Sequence, residues 1–320
     1  RKAHQLSVKL SSRFCAETIS DEEARKKFYS WWDERLKEPN VTLFDGTKFR
    51  IHSVLPLSAT ACEDFESARA QHQTEGNPKV EIRLGLTSYR EFICTNGHPD
   101  WKQLMTSNIE LDRPLYLPLL DDGGQQRNSV EIGGKYFAHP VGVSAALVTN
   151  DRMAPLILRS GSVAEIKNCW AWPGGHAEPS HIGIDKSILR QLDESGDVQG
   201  LEDFSQKAAM ELLDSNLDEI TDELGVPRER MGSPEFVGIS VRIENRRPTF
   251  FSVVHTTLSS EEVLRYYNRG DFAEKYESKK LAFIPFDDGM MEAGFDFPPC
   301  HLGGTDLFVR YAKAKGWRKE

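Results

Sequence analysis

One segment dictates much of what the rest of the chain must do. Residues 203–227 read DFSQKAAMELLDSNLDEITDELGVP. Ala, Leu, Met and Glu favour a long helix, and Gly225 followed by Pro227 supplies its stop. At about 100° per residue, Leu213, Leu217, Ile220 and Leu224 share one narrow stripe, which predicts the buried side. Glu219 and Glu223 project together on one flank of that stripe, Asp218 and Asp222 on the other. Like charges four apart cost a helix roughly 0.2–0.5 kcal/mol per pair. A solvated acidic face tolerates that cost, whereas a hard divalent cation turns the repulsion into attraction. Glu223 lies nearest the apolar stripe, so Glu219/Glu223 is the better candidate for a ligand pair.

The rest of the composition narrows the setting. At 320 residues the chain can bury one large core or two ordinary ones. With 39% hydrophobic and 28% charged residues it falls in the globular range. No apolar run reaches the ~18 residues of a membrane span, and the longest, VGVSAALVTN, reads as a strand. The net charge of −9 weighs against a nucleic-acid backbone as partner, since phosphate chains are held by clustered cations. A phosphorylated small molecule, bound by a few local cations or a metal, fits that charge. The opening RKAHQLSVKL has no apolar leader core, and five scattered cysteines without C-x-x-C predict neither a disulfide framework nor a zinc site. A reducing, cytoplasmic setting is expected, with access to the nucleus left open.

Along the chain, HQLSVKL predicts a strand and SDEEARKKFYSWWDERLKE a helix. That helix is expected to start from a Ser20/Glu23 capping box, with Phe28, Trp31, Trp32 and Leu36 on its apolar side. TLFDGTKFRIHSVLPL and KVEIRLGLTSYREFICTN follow, the latter a strand entering a polar turn. Residues 74–79 and 121–135 read as loops. From about Tyr136 the rhythm changes to VGVSAALVT and APLILRS, then CWAWPGGHAEPS. A polar segment, 180–203, carries Gly183, Gly196 and Gly200 and predicts an insertion loop. After the long helix come strands at EFVGISVRI, TFFSVVHTTL and KLAFIPF, a helix SSEEVLRYYNRG before the last of them, and a closing helix GGTDLFVRYAKAKGW. Strands and helices mix without a regular βαβ cadence, so the fold class is mixed α/β (α+β). The expected division is 1–135 and 136–320.

These residues carry a family resemblance. The Nudix box is G-x5-E-x7-R-E-U-x-E-E-x-G-U, with U aliphatic, and DEITDELGV (218–226) resembles its second half. Glu219, Ile220, Glu223, Gly225 and Val226 fall in register. Asp218 replaces the Arg and Asp222 the first Glu of the last pair. WPGGHAEPS resembles the entry to the box, separated from the helix by a longer insertion. The early Glu has no counterpart in register: counting back from the helix reaches Met210, beside Glu211, and counting forward from Gly175 reaches His181. LFDGTKFRIHS, IRLGLTSYREFICTN and PGGHAEP together resemble the atypical branch of Nudix hydrolases that acts on UDP-glucose and UDP-galactose. That similarity runs intermittently from about residue 28 to 310 and includes FVGIS and YES.

The resemblance implies a Nudix α/β/α sandwich with an N-terminal α/β extension. It implies Glu219 and Glu223 as ligands of Mg²⁺, or Mn²⁺, with Gly175 at the metal and Gly174 beside it. A later acid would join them, for which Glu277 is chosen over Glu274. The implied reaction is hydrolysis of a nucleotide sugar to UMP and sugar 1-phosphate. Thr87, Ser88, Tyr89, Arg90, Thr95 and Asn96 are candidates for nucleotide recognition. Lys48, Arg50 and Arg159 are candidates for phosphate, and His176 for a sugar hydroxyl. The alternatives are a Nudix hydrolase of another diphosphate, such as ADP-ribose or a dinucleotide, and a Nudix-fold binding module without catalysis.

Overall fold

The computed structural model describes residues 6–39, 43–56, 80–105, 115–118, 130–132, 134–161, 167–286, 290 and 294–317. Residues 74–79, 121–129 and 133 of the expected loops lie outside these. Strand β1 (Leu6–Leu10) buries Leu6, Val8 and Leu10 in strict alternation, the signature of a strand covered on one face. Helix α1 (Glu22–Leu36) follows, then β2 (Thr47–Pro56), β3 (Val80–Ser88), helix α2 (Tyr89–Cys94), β4 (Leu115–Pro118) and β5 (Val130–Glu131). A four-stranded sheet takes the order β1-β3-β2-β5, with β1 parallel to β3 and the other pairs antiparallel.

Two local expectations are corrected here. Asp21, not Ser20, caps α1: its carboxylate accepts the Ala24 N–H at 2.7 Å, while the Ser20 hydroxyl meets Tyr136 Oη at 3.2 Å. Phe28 and Trp32 are buried as expected, but Leu36 is 49% exposed. The YREFIC stretch, expected as a polar turn, is helix α2. Ser88 and Glu91 form a reciprocal capping box that starts a helix where the strand ends. Losing a Ser cap costs about 1 kcal/mol. Ser88→Ala is therefore expected to lower the melting temperature by about 2–4 °C and leave KM unchanged. A raised KM would instead put the Ser88 hydroxyl on a ligand.

The later elements are β6 (Gly142–Val148), β7 (Met153–Arg159), β8 (Trp170–Ala171), β9 (Gly174–His176), α3 (Lys186–Ser195), α4 (Val198–Leu224), β10 (Glu235–Val241), β11 (Pro248–His255), α5 (Ser260–Arg269), β12 (Ser278–Pro285) and α6 (Pro299–Ala314). A five-stranded sheet runs β4-β10-β11-β6-β9, with β6 and β11 parallel, and a three-stranded sheet runs β12-β7-β8. Side chains alternate across these strands. Ala145, Leu147 and Val254 face Ile220 and Leu224 of α4 and Val263 of α5. Ala146, Val148 and Val253 face the other way, onto Leu307, Phe308 and Tyr311 of α6. Helices therefore cover both faces, giving an α/β/α sandwich. A third cluster joins Leu10, Phe49 and Leu84 to Leu212 of α4 and Phe250 of β11, so it draws on residues from both sides of 136.

The polar segment 180–203 is not a loop. It holds a 3-10 turn (Pro179–Ile182), all of α3 and the start of α4. Asp185 and Asp197 cap the two helices, Gly183 and Gly196 end the preceding turns, and Leu189 is fully buried. Its glycines and aspartates mark helix ends, which composition alone does not distinguish from a loop. The buried line of α4 is also rotated from the expected one. Ala208, Leu212, Ile220 and Leu224 are buried, whereas Leu213 and Leu217 are only partly so. Packing on two sides explains this: β1 lies along the helix as well as β6 and β9, with Leu10 N donating to Ser205 Oγ at 2.9 Å. The helix ends at Gly225, whose φ of +72° a side chain rarely adopts. No helix among the described residues is long and apolar enough to cross a membrane.

Candidate active site

The site forms where β9 passes the C-terminal half of α4. Gly174 N donates to Glu223 Oε2 at 2.8 Å, and His176 N to Glu219 Oε1 at 3.1 Å. This close approach needs glycine: a Cβ on Gly175 would stand 2.1 Å from Glu219 Oε1, and one on Gly174 2.3 Å from Val143 O. The turn before β12 is tied to the same place. Glu274 N donates to Asp222 O at 2.8 Å, Glu277 N to Glu274 O at 2.9 Å, and Ser160 N to Glu277 O at 2.7 Å. Glu223, Glu274 and Glu277 can consequently each offer a carboxylate oxygen within 4.8 Å of the others. The two rival loop acids both arrive.

The electrostatics of this cluster are adverse as it stands. Burial, then the charge of Glu219, pushes the Glu223 carboxyl well above the usual range, with Arg159 opposing. Burial, then Glu274, pushes Glu219 up to about 8. Glu274 and Asp222 are raised too, each by burial first and then by neighbouring acids. Arg159, at the end of β7, lies 4.0 Å from Glu223 Oε1 and 3.6 Å from Glu277 Oε2. Glu223 is 1% exposed, and its Oε1 has no hydrogen-bond donor among the described residues. A buried carboxylate oxygen without a donor is costly. The donor set, all carboxylate oxygen, suits a hard divalent cation, so these residues fit the ion.

A cleft of about 450 Å³ opens over the cluster. Of the sequence candidates, Arg159, Gly174, Gly175, His176, Glu219, Glu277 and Tyr89 line it. The others are placed elsewhere. Thr87 donates to Glu91 Oε2 at 2.8 Å and Ser88 caps α2. Thr95 Oγ1 accepts Ala138 N–H and Asn96 Oδ1 accepts His139 N–H, both in the interior. Arg90 is exposed, its backbone N–H on Asp45. Arg50 is buried and donates to the carbonyls of Phe137 and Phe14, so it is committed to holding backbone. Lys48 is paired with Glu178.

Arg242, Arg247 and His301 are among the cleft residues not singled out in the sequence. His301 Nδ1 accepts the Trp172 N–H at 3.2 Å, which leaves Nε2 carrying the proton. Burial, with Arg159, Arg242 and Arg247 nearby, lowers its pKa to about 3, so it stays neutral. His176 is likewise held neutral, by burial first and then by Arg247. Glu211, beside the Met210 reached by counting back, meets His181, reached by counting forward: Glu211 Oε1 lies 2.9 Å from His181 Nδ1 and accepts from Glu178 N at 3.1 Å and Ser215 Oγ at 3.0 Å.

Over 277 residues the chain is 30% identical to Nudix hydrolase 9 of Arabidopsis thaliana, covering 87% of this chain and 76% of that protein. It is 30% identical over 262 residues to the uridine diphosphate glucose pyrophosphatase NUDT22 of Bos taurus, covering 81% and 74%. With the Homo sapiens protein of the same name the identity is 31% over 256 residues, covering 79% and 69%. No protein-family model matches the chain. The box it carries departs at Asp218 and Asp222 and is split by α3. Identity of 30% or more over more than two thirds of each relative's length places the chain in the Nudix hydrolase family.

Proposed function

We propose that the protein hydrolyses the diphosphate of UDP-glucose or UDP-galactose to UMP and sugar 1-phosphate, with Mg²⁺ as its ion and Mn²⁺ as a substitute. The observation that carries the reaction class is the buried Glu223 carboxylate, gathered with those of Glu274 and Glu277 so that each can offer an oxygen within 4.8 Å of the others. The substrate follows from relatives named for UDP-glucose. Glu219 and Glu223, with Glu274 and Glu277 beside Glu223, would hold the ion, and Gly175 leaves room for the Glu219 carboxylate. A bound divalent ion would supply charge neutralisation for the diphosphate and a lowered pKa for the attacking water. Glu277, positioned by Arg159, takes the proton of the attacking water. One bridging P–O bond breaks and two monoesters leave. His301 Nε2–H and Tyr89 border the cleft as donors for the sugar or base. A cytoplasmic setting suits a nucleotide-sugar substrate.

The test is a panel of UDP-glucose, UDP-galactose, ADP-ribose and a dinucleotide, each with Mg²⁺ or with EDTA. Release of UMP from the UDP-sugars in Mg²⁺, and none in EDTA, is expected. Turnover confined to the adenine compounds would overturn the substrate assignment, and turnover in EDTA the metal assignment.

A further inference from the structure

The cleft is lined by charges of both signs. Glu219, Asp222, Glu274 and Glu277 line it, with Arg159 4.0 Å from Glu223 and 3.6 Å from Glu277. Arg242 and Arg247, the residues flanking the β10–β11 turn, line it as well. In a chain of net charge −9, two guanidinium groups lining one cleft from a single turn are a specific local feature.

Their placement is locked from several directions. Arg242 N donates to Arg247 O at 2.9 Å, and Arg246 N to Arg242 O at 2.8 Å, so the two arginines face each other across the hairpin mouth. Arg246 turns inward instead, 2% exposed, and donates to Ile132 O at 2.9 Å. Asn96 Nδ2 grips the turn at Asn245 O, 2.7 Å away. Arg247 lies over the Phe92 ring of α2, 5.5 Å from its centroid, and its Nη2 meets His176 Nε2. Arginine is always a donor, so His176 accepts there, and the contact orients the guanidinium.

We propose that Arg242 and Arg247 form a clamp for a phosphoryl group, the one of the diphosphate that is not held at the carboxylates. This rests on the diphosphatase reading and deepens it. A planar fork of N–H donors matches phosphate oxygens in pairs. The clamp gives the substrate a second anchor, so that it decides which phosphorus is presented to Glu219 and Glu223. It also assigns Asn96 and Phe92 a supporting part, holding the turn and the guanidinium.

Two measurements on the full-length protein test it. In the first, inorganic pyrophosphate is titrated calorimetrically into EDTA-treated protein. Arg242→Gln and Arg247→Gln are each expected to weaken binding at least about tenfold, as loss of a charge-assisted pair does. Arg→Lys at either position is expected to restore less than half of the loss on a logarithmic scale, because a point charge lacks the fork. In the second, the same variants are assayed on UDP-glucose with Mg²⁺, where KM is expected to rise by a similar factor with kcat changed less. Unchanged melting temperatures confirm the fold, and the Lys variants carry the test if a Gln variant does not fold. Wild-type pyrophosphate affinity and KM in all four variants would overturn the clamp. Loss of pyrophosphate binding in a protein that leaves UDP-sugars intact would sink the substrate assignment and keep the clamp.

Discussion

Glu223→Gln is expected to lose at least about 10³-fold in kcat while melting no lower than the parent protein in EDTA. The two halves of this result have one cause. Glu223 is a carboxylate placed almost wholly out of water, with Gly174 N donating to one oxygen and Arg159 4.0 Å from the other. Its charge is opposed by burial and by Glu219 beside it. Replacing it with a neutral amide keeps an oxygen for Gly174 and removes a buried charge, which relieves the metal-free fold. The same change removes a ligand from the ion. Losing about 4 kcal/mol of transition-state stabilisation corresponds to about 10³-fold in rate. Steady-state kinetics with Mg²⁺ and thermal melts with EDTA check the two halves separately. Retained activity would show that the ion is not held at Glu223. Activity lost together with the fold would show that the charge is structural.

The second large effect is a coupling of pH, metal and stability. Glu219 carries a folded-state pKa of about 8 against an ordinary 4.5, and Glu223 and Glu274 are raised in the same direction. An acid whose pKa is raised by folding binds more protons folded than unfolded. Stability therefore falls as pH rises from about 4.5 through the folded value. The buried His176 and His301 are shifted downward, so their contribution changes only below the ordinary 6.5. Between pH 7 and 8.5 the carboxylates stand apart from them. In EDTA the melting temperature is expected to drop across that window, by about 2–4 °C for each kcal/mol lost. A divalent ion binds the ionised carboxylates, so adding Mg²⁺ should raise the melting temperature more at pH 8.5 than at pH 7. A flat metal-free profile with no Mg²⁺ response would refute the cation assignment outright.

Much of this site could be read locally, and the parts that could not share a cause. Helical spacing alone pairs Glu219 with Glu223, because i, i+4 neighbours meet wherever the helix lies. Gly225 and the strands VGVSAALVT and TFFSVVHTTL were equally legible, since caps and apolar runs are short-range signals. The segment 180–203 misled because Gly and Asp serve both loops and helix ends, and only Leu189 entering the core decides between them. Thr87, Ser88, Thr95 and Asn96 looked available for ligand. Their hydroxyls and amide are used instead on backbone and on Glu91 around α2, which depends on where β3 stops.

The sequence by itself determined the long acidic helix, its glutamate pair, the glycines before it and a mixed α/β class, all properties of a few neighbouring residues. Tertiary structure alone decided which side of α4 is buried, since β1 covers a flank that helical periodicity treats as open. It also brought Glu274 and Glu277 beside Glu223, and Arg242, Arg247 and His301 to the cleft. Those residues come from segments tens of positions apart in the chain, and only strand pairing and helix packing bring the segments together.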